Sequence, residues 1–188
     1  AAQQMAATPA LADYTIDNGG DRDALRQAVV RVFQDAAARI RPPDWDTYFL
    51  DIADVVASRS SCVKRQVAAI LVKDRRIIAT GYNGTPRGVT NCNDGGCPRC
   101  LALAPSGTTL DTCLCSHAEE NAIVQAAFHG VSVRGATLYS TLSPCLLCTK
   151  LILNAGIAEV IFGARYTMPD DALQMLQVAG IRVRQVPR

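Results

Sequence analysis

The stretch "ATLYSTLSPCLLCTKLILNAGIAEVIFGA", residues 136–164, decides the fold class. Its two apolar runs, 136–142 and 158–164, have the length and composition of buried strands. The segment between them, 144–155, has the length of a helix. A strand, a helix and a second strand in succession indicate an α/β protein.

The same alternation continues on both sides of this stretch. Strands that alternate with helices of this length predict an α/β fold built as a three-layer α/β/α sandwich. The further predicted elements are helices at 21–40, about 46–60, 117–129 and 169–179 and strands at 67–72, 77–82 and 181–186. The near-continuous apolar runs of the first two strands indicate strands that are covered on both faces. On helix 46–60, the side chains expected on the buried face are Tyr48, Phe49, Ile52, Val55 and Val56.

Length, composition and charge limit the class of protein. With 188 residues, 49% of them hydrophobic, the chain is long enough for one substantial core. Its 19 basic and 17 acidic residues give a formal charge of +2, short of the strongly basic signature of a dedicated nucleic-acid binder. No apolar run approaches the roughly 18 residues of a membrane span, and the first residues lack the features of a signal peptide. We expect a cytoplasmic protein without membrane or nucleic-acid partners; its start without Met suggests a processed or excised fragment.

His117 and the pair Cys145 and Cys148 form a candidate catalytic zinc site. Each motif opens a predicted helix, and the spacing of the cysteines brings both sulfurs to one side of theirs. One imidazole and two thiolates supply three ligands and leave the fourth tetrahedral position open for water, as in catalytic zinc sites. Glu119 can exchange protons with that water as a general acid/base. Together the motifs match the H-x-E…P-C-x-x-C signature of zinc nucleobase deaminases.

Each motif alone has a simpler interpretation. A lone H-x-E is common, and a lone C-x-x-C also occurs in closed structural zinc sites and in redox pairs. The presence of both motifs, each at a helix start, favours the catalytic zinc.

Beyond these motifs, residues 44–187 resemble the deoxycytidylate (dCMP) deaminases of the cytidine deaminase superfamily. The resemblance rests on "WDTYFLDIADVVASRSSC", "GYNGTPRG", "CSHAEENAI" and "TLSPCLLCTKLILNAGIAEVIFGARY", and the pattern "TNC…GGCPRC…CLCSHAEENA" is similar to a fungal-like subgroup. It implies a five-stranded mixed sheet and zinc-dependent hydrolysis of dCMP to dUMP, which supplies thymidylate synthesis. In such a reaction zinc-activated water attacks C4 of cytosine while Glu119 protonates N3 and then the leaving ammonia.

The resemblance also implies substrate contacts and regulation. Asn83 matches the position that binds the deoxyribose, backbone at Ala118 and Ser143 the contacts to the base, and Tyr166 the aromatic residue near sugar and phosphate. Arg87 is a candidate for phosphate or effector binding, with a solvated loop arginine as the equally open alternative. Members of the family are commonly homohexamers, activated by dCTP and inhibited by dTTP.

The six remaining cysteines predict a second, structural zinc. Related deaminases often carry one at the edge of the sheet, and the best matches are Cys62, Cys92, Cys97 and Cys113. Cys100 and Cys115 are plausible substitutes, because C-P-R-C is itself a good zinc spacing. A closed site of four thiolates would order the long loop in which most of these cysteines lie. The alternative is a group of free buried thiols.

The first 43 residues lie outside the deaminase pattern. "ADYTIDNGGDRDALRQAVVRVF", residues 12–33, resembles the carboxy-terminal end of P-loop nucleotide-kinase-like domains. We therefore expect an amino-terminal extension at 1–43, possible tail of such a domain, and a zinc-dependent deaminase domain at 44–188. An unrelated amphipathic helix that packs on the core is the alternative.

Two other functions stay open at this point. A zinc deaminase with the same chemistry could act on a free nucleoside, on tRNA adenosine or on single-stranded nucleic acid. A polynucleotide editor would be expected to carry a basic groove rich in aromatic residues, but only 5% of the residues are aromatic. A catalytically inactive zinc-binding regulatory module is the second alternative, and the presence of Glu119 argues against it.

Overall fold

The chain is divided into two compact units. The computed structural model describes residues 12–102, 105, 108–166 and 171–187. One unit comprises Ala1–Pro43 and the other Asp44–Arg188, a division at the residue where the sequence places the start of the deaminase domain. The kinase-like origin of the first unit stays a prediction. Among the described residues, no helix is both long enough and apolar enough to cross a bilayer.

From residue 12 onwards, the described part of the first unit contains one helix, α1, at Arg22–Arg39. Asp21 caps its amino terminus, and the hydroxyl of Tyr14 donates a hydrogen bond of 2.7 Å to Asp35 on the helix. None of the residues of α1 is buried, and Phe33 is 71% exposed. The predicted helix is present within a residue of its expected bounds.

The second unit is built on one mixed sheet of five strands in the order β2-β1-β3-β4-β5. β1 is antiparallel to both β2 and β3, whereas β3, β4 and β5 are parallel to one another. The five-stranded mixed sheet expected from the resemblance is confirmed. The strand bounds are Ala68–Lys73 for β1, Arg76–Tyr82 for β2, Thr137–Leu142 for β3, Glu159–Ala164 for β4 and Arg182–Gln185 for β5.

Helices cover both faces of this sheet and make three layers. Along β1, Ile70 and Val72 pack in one cluster with the first helix of the unit, while Ala69 and Leu71 pack in a second cluster with helices that follow later in the chain. This alternation follows from the two-residue period of a strand. The helix bounds are Trp45–Ala57 for α2, Pro98–Leu101 for α3, Ala118–Phe128 for α4, Leu146–Asn154 for α5 and Asp171–Val178 for α6.

The buried face of α2 differs from the predicted one. Phe49 is buried as expected, but Val55 is 71% exposed and Tyr48 43% exposed. The residues that α2 buries are Phe49, Leu50, Ala53 and Ala57. The two alanines let the helix lie close to the sheet, whereas the sequence pattern gives most weight to large side chains. The prediction that both early strands are covered on both faces also holds only for β1, since β2 is an edge strand with three exposed residues.

Gly81 allows β2 and α4 to lie in direct backbone contact. A Cβ atom at this position would lie 2.2 Å from the carbonyl oxygen of Ala118 and 2.3 Å from the amide nitrogen of Ala122. These distances are far inside van der Waals contact, so only glycine fits without a shift of the helix. The start of α4, which carries the predicted His-x-Glu motif, is therefore held against the sheet by backbone packing.

Candidate active site and metal centre

His117, Cys145 and Cys148 converge at the starts of two helices. His117 immediately precedes α4, Cys145 immediately precedes α5, and Cys148 lies in the first turn of α5. The Nδ1 atom of His117 is 3.3 Å from Sγ of Cys145 and 3.5 Å from Sγ of Cys148. Tetrahedral zinc with ordinary bond lengths would separate a ligating nitrogen from a ligating sulfur by roughly 3.6 Å. The three predicted ligands therefore fit zinc, because one nitrogen and two sulfurs lie close enough together to bind a single ion.

The electrostatics of this trio favour a cation. The hydrogen bond with Cys145 raises the pKa of His117 to about 9, against the opposing effect of burial. The hydrogen bond with the Cys148 thiol, assisted by His117, lowers the pKa of Cys145 to about 4. The same sharing of a proton, together with burial, raises the pKa of Cys148. Metal ligation needs deprotonated thiols and a neutral imidazole, so His117, Cys145 and Cys148 would hold a metal ion in place of protons.

Glu119 lies beside the ligands and is buried. Only 4% of the residue is exposed. Burial raises the pKa of its carboxyl to about 7, although the nearby imidazole of His117 acts in the opposite direction. A carboxyl group that gains and loses a proton near neutral pH is suited to general acid/base chemistry.

The neighbouring Glu120 is used differently. Its carboxylate accepts a hydrogen bond of 3.3 Å from the backbone N–H of His117, across the first turn of α4. This contact satisfies one of the unpaired amides at the helix start. Glu120 therefore supports the backbone that carries His117, while Glu119 faces the cavity.

A cavity of about 300 Å³ opens over the metal ligands. Its lining includes His117, Glu119 and Cys145. Three of the predicted substrate-binding residues also line it, namely Asn83, Ser143 and Tyr166. The volume is at the lower end of the range for small-molecule sites.

Asn83 is fixed by contacts to two segments. Its Oδ1 accepts a hydrogen bond of 2.9 Å from the N–H of Ala118, and its Nδ2 donates one of 3.5 Å to the carbonyl of Arg65. The N–H of Ala118 is therefore engaged by Asn83, and Ala118 is fully buried rather than part of the cavity lining. The asparagine side chain thus connects the end of β2 to the start of α4.

Ser143 and Tyr166 are joined by a hydrogen bond. The hydroxyl of Ser143 accepts from the N–H of Tyr166 at 2.8 Å, and the N–H of Ser143 donates to the carbonyl of Ala164 at 2.9 Å. The ring of Tyr166 is covered by the guanidinium group of Arg65, 4.6 Å from the ring centroid. This wall of the cavity is therefore aromatic and cationic at once.

Arg87 lies elsewhere. Its guanidinium group stacks over the ring of Phe128 at 4.7 Å, and it is not among the residues that line the cavity. The cations that do line it are Lys64, Arg65 and Arg99, none of which belongs to a motif predicted to bind substrate. Two of them directly precede β1 and the third lies within C-P-R-C, but no spacing in the sequence connects these segments to the metal motif.

The other six cysteines are grouped by the structure in a way that differs from the expected set. Sulfur atoms within 4.8 Å of one another define two groups of four. The predicted set of Cys62, Cys92, Cys97 and Cys113 is divided between them, two to each group. Both groups are completed by the same two residues, Cys100 and Cys115. The groups are Cys62, Cys92, Cys100 and Cys115, and Cys97, Cys100, Cys113 and Cys115.

Two glycines close the loop between Cys92 and Cys97. Gly95 has a φ of 99°, a conformation that favours glycine. A Cβ atom on Gly96 would lie 1.7 Å from the carbonyl oxygen of Thr90, so the backbone passes too closely for any side chain. The "GG" of this loop is therefore required by the path of the backbone between the two cysteines.

Metal motifs brought together at helix starts on one mixed sheet define the class of zinc-dependent nucleobase deaminases. The family model of the cytidine and deoxycytidylate deaminase zinc-binding region matches residues 43–164. The chain therefore belongs to this family and contains its zinc-binding region, and the cluster of His117, Cys145 and Cys148 can hold the ion.

Similar proteins agree with this assignment. The deoxycytidylate deaminase of Schizosaccharomyces pombe is 50% identical over 143 residues, which cover 76% of this chain and 44% of that protein. The deoxycytidylate deaminase of Saccharomyces cerevisiae is 43% identical over 175 residues, which cover 88% of this chain and 55% of that protein. The chain thus spans about half the length of these two relatives. The crystal structure of the dCMP deaminase from cyanophage S-TIM5 in complex with dCMP and dUMP is similar with a TM-score of 0.63 and 32% identity, covering 78% of this chain and all of that one.

Proposed function

We propose that this protein is a deoxycytidylate deaminase, which hydrolyses dCMP to dUMP and ammonia and so supplies dUMP for thymidylate synthesis. The observation that carries the proposal is the buried Glu119 beside the His117, Cys145 and Cys148 ligand set, at a cavity lined by cations. Relatives named as deoxycytidylate deaminases and a related enzyme solved with dCMP and dUMP support the choice of substrate.

The proposed chemistry assigns the proton transfers to Glu119. Zinc, when bound, supplies a nucleophilic water at neutral pH by lowering the pKa of that water to roughly 7. Glu119 takes a proton from the water and delivers it to N3 of the cytosine ring, and a second transfer protonates the exocyclic amino group. A bond forms between C4 and the water oxygen, the bond between C4 and the amino nitrogen breaks, and ammonia leaves. The pKa of Glu119, raised by burial to about 7, suits a group that must both accept and donate.

The cavity cations account for recognition of a nucleotide rather than a nucleoside. Lys64, Arg65 and Arg99 line the same cavity as Glu119. A phosphate dianion needs cationic donors, and arginine provides them in a planar array. We assign the phosphate to Lys64 and Arg65, because the Arg99 guanidinium group donates to the carbonyls of Thr108 and Pro105. Tyr166 is assigned to the sugar, Asn83 to the deoxyribose and Ser143 to the base. A contact of Arg87 with an effector stays a prediction.

Ammonia release across a panel of substrates tests the proposal. We expect turnover of dCMP to exceed that of deoxycytidine, cytidine, dCTP and a cytosine-containing oligonucleotide, with little dependence on salt. The Cys148→Ser variant, which lacks one zinc ligand, is the control for contaminating activity. Turnover of an oligonucleotide or of cytidine in preference to dCMP would replace the proposal with a deaminase of another substrate. No turnover of any of them by zinc-loaded protein would favour an inactive regulatory module.

Regulation by dCTP and dTTP, a homohexameric assembly and a cytoplasmic location are further parts of the proposal. The resemblance of "GYNGTPRG" to the regulatory segment of the family supports the first. Exposed apolar side chains on α4 and α5 support assembly: Val124, Phe128, Leu147 and Leu151. Light scattering tests the assembly, since a hexamer has six times the mass of the 20.1 kDa chain. The rate of dCMP turnover with and without dCTP and dTTP tests the regulation. A monomer whose turnover ignores both nucleotides would contradict them.

A further inference from the structure

Six cysteines from four segments meet beside the active site. Cys62 lies between α2 and β1, Cys92 and the pair Cys97 and Cys100 lie in the loop after β2, and Cys113 and Cys115 lie just before α4. Five of the six sulfur-bearing residues are at least nine-tenths buried. Among the described residues they form a core cluster of their own, which contains cysteines and no other side chain. Hydrophobic packing therefore does not explain how this region is ordered.

The sulfur positions have the geometry of zinc–thiolate tetrahedra. Sγ of Cys113 is 3.9 Å from Sγ of Cys97 and 3.9 Å from Sγ of Cys100. Two sulfurs on one tetrahedral zinc are separated by roughly 3.8 Å when each bond is about 2.3 Å long. A disulfide would instead bring the sulfurs to about 2.05 Å, and all six cysteines are free.

The two groups of four sulfurs share an edge. Each group has all of its sulfurs within 4.8 Å of one another, and Cys100 and Cys115 belong to both. The other two members differ between the groups: one contains Cys62 and Cys92, and the other contains Cys97 and Cys113. Two tetrahedra joined along an edge require this pattern, because their outer sulfurs lie roughly 5 Å apart across the shared edge.

We propose that these six cysteines bind two zinc ions in a binuclear cluster in which Cys100 and Cys115 bridge the metals. Cys62 and Cys92 are the terminal ligands of one zinc, and Cys97 and Cys113 those of the other. The cluster is separate from the catalytic His117 site and shares no ligand with it.

A single zinc would leave two buried thiols next to a closed site, whichever group held it. Two zinc ions use all six sulfurs and leave the same residual charge as one zinc held by four thiolates. The guanidinium group of Arg99, which interacts with the sulfurs of Cys100 and Cys113, lies where it offsets part of that charge. Two independent sites of four thiolates are excluded because only six sulfurs are present here.

The cluster also forms one wall of the active-site cavity. Cys62, Cys100, Cys113 and Cys115 line that cavity together with Glu119. Cys115 stands two residues before His117, so the metal that it binds fixes the backbone that enters α4. The binuclear cluster therefore joins the loop after β2, the segment before β1 and the start of the catalytic helix.

A zinc count on the reconstituted protein tests the proposal without reference to deamination. After reconstitution with zinc under reducing, anaerobic conditions and removal of free metal, we expect three zinc ions per chain by mass spectrometry of the elements. Cys148→Ser, which disrupts only the catalytic site, should bind two. Two or fewer zinc ions in the unmodified protein would overturn the binuclear cluster.

Terminal-ligand variants distinguish a binuclear from a mononuclear site. Cys92→Ser and Cys97→Ser remove ligands from different metals, so each should lower the count of three. If only one group of four held zinc, one of these two variants would leave the count unchanged, and that result would overturn the proposal.

Cadmium substitution tests the bridges in unmodified protein, so it does not depend on the folding of a variant. The ¹¹³Cd nuclear magnetic resonance spectrum should contain two signals typical of four-sulfur sites that are coupled to each other through the bridging sulfurs. Two uncoupled four-sulfur signals, or a single one, would overturn bridging by Cys100 and Cys115.

Discussion

At the scale of single residues, the adjacent glutamates Glu119 and Glu120 allow a matched test. Glu119→Gln should lower kcat for dCMP by roughly 10²–10⁴-fold, because the amide cannot carry protons between water and substrate. Zinc at the His117 site should be retained, since Glu119 is not one of its ligands. Glu120→Gln keeps an oxygen that accepts from the N–H of His117 and should turn over at a rate close to that of the unmodified protein. Equal losses in the two variants would refute the role assigned to Glu119.

Substitutions of Arg65 and Arg87 test which arginine binds the phosphate of dCMP. Arg65→Gln should raise KM for dCMP by about 10- to 100-fold, since a hydrogen bond to a charged group contributes roughly 1.5–3 kcal/mol. Deoxycytidine lacks the phosphate, so its turnover should change little. Arg87→Gln should leave KM for dCMP unchanged in the absence of effectors, because this guanidinium group stacks on Phe128 outside the cavity. The opposite result would move the phosphate site to Arg87, which the sequence left as a candidate for either phosphate or effector binding.

The convergence of His117, Cys145 and Cys148 could be predicted from the sequence because their spacing reflects local helix geometry. Cys145 and Cys148 are one turn apart, and His117 and Glu119 open one helix. The cavity cations could not be predicted in this way. Arg65 reaches the site only because the segment before β1 packs beside Tyr166, about 100 positions further along the chain, and no short-range pattern encodes that contact.

At the scale of elements, the contact between β2 and α4 depends on Gly81. Gly81→Ala should lower the free energy of unfolding by about 3 kcal/mol or more, because its Cβ would overlap the backbone of Ala118 and Ala122. The nearest atom to a Cβ on Gly84 is 3.6 Å away, so Gly84→Ala should cost less than about 1 kcal/mol. Urea unfolding of both variants measures the difference. Similar midpoints would show that α4 can move away from the sheet at little cost.

The sequence predicts where strands and helices begin and end more accurately than it predicts which face of a helix is buried. The strands at 136–142 and 158–164 were expected within one residue of β3 and β4, because short apolar runs between helices have few other interpretations. The buried face of α2 could not be predicted as closely, since Ala53 and Ala57 carry little hydrophobic signal yet are buried, while Val55 is exposed. The sequence pattern reports hydrophobicity, and close packing also selects for small size.

At the scale of the whole molecule, an ion-pair network connects the two ends of the deaminase unit. Arg184 on β5 contacts Asp46 on α2 at 2.6 Å and Glu159 on β4 at 2.9 Å. Arg182, on the same strand, reaches Glu159 only at 3.5 Å and is more exposed. Arg184→Met should therefore lower the free energy of unfolding by roughly 1–2 kcal/mol, and Arg182→Met by less than about 0.5 kcal/mol. Urea titrations compare the two, and equal effects would show that the network adds nothing beyond surface charge.

The division of the chain at Pro43 and Asp44 predicts that the second unit is sufficient for deamination. All of the metal ligands, the cavity residues and the six clustered cysteines belong to it. A protein comprising residues 42–188 should match the full chain in kcat for dCMP and in zinc content. The cut must spare Asp44, which accepts hydrogen bonds from the backbone N–H groups of Asp46 and Thr47 at the start of α2.

Asp44→Ala in this shorter protein is the matched control. It should lower the midpoint of thermal unfolding and leave kcat unchanged, because Asp44 caps α2 and is not among the residues that line the cavity. Loss of kcat in the 42–188 protein, with its thermal unfolding and zinc content intact, would mean that residues before position 42 contribute to the site. We expect the second unit to fold alone, because it has its own core. If the 42–188 protein failed to fold, the first unit would have to stabilise the second.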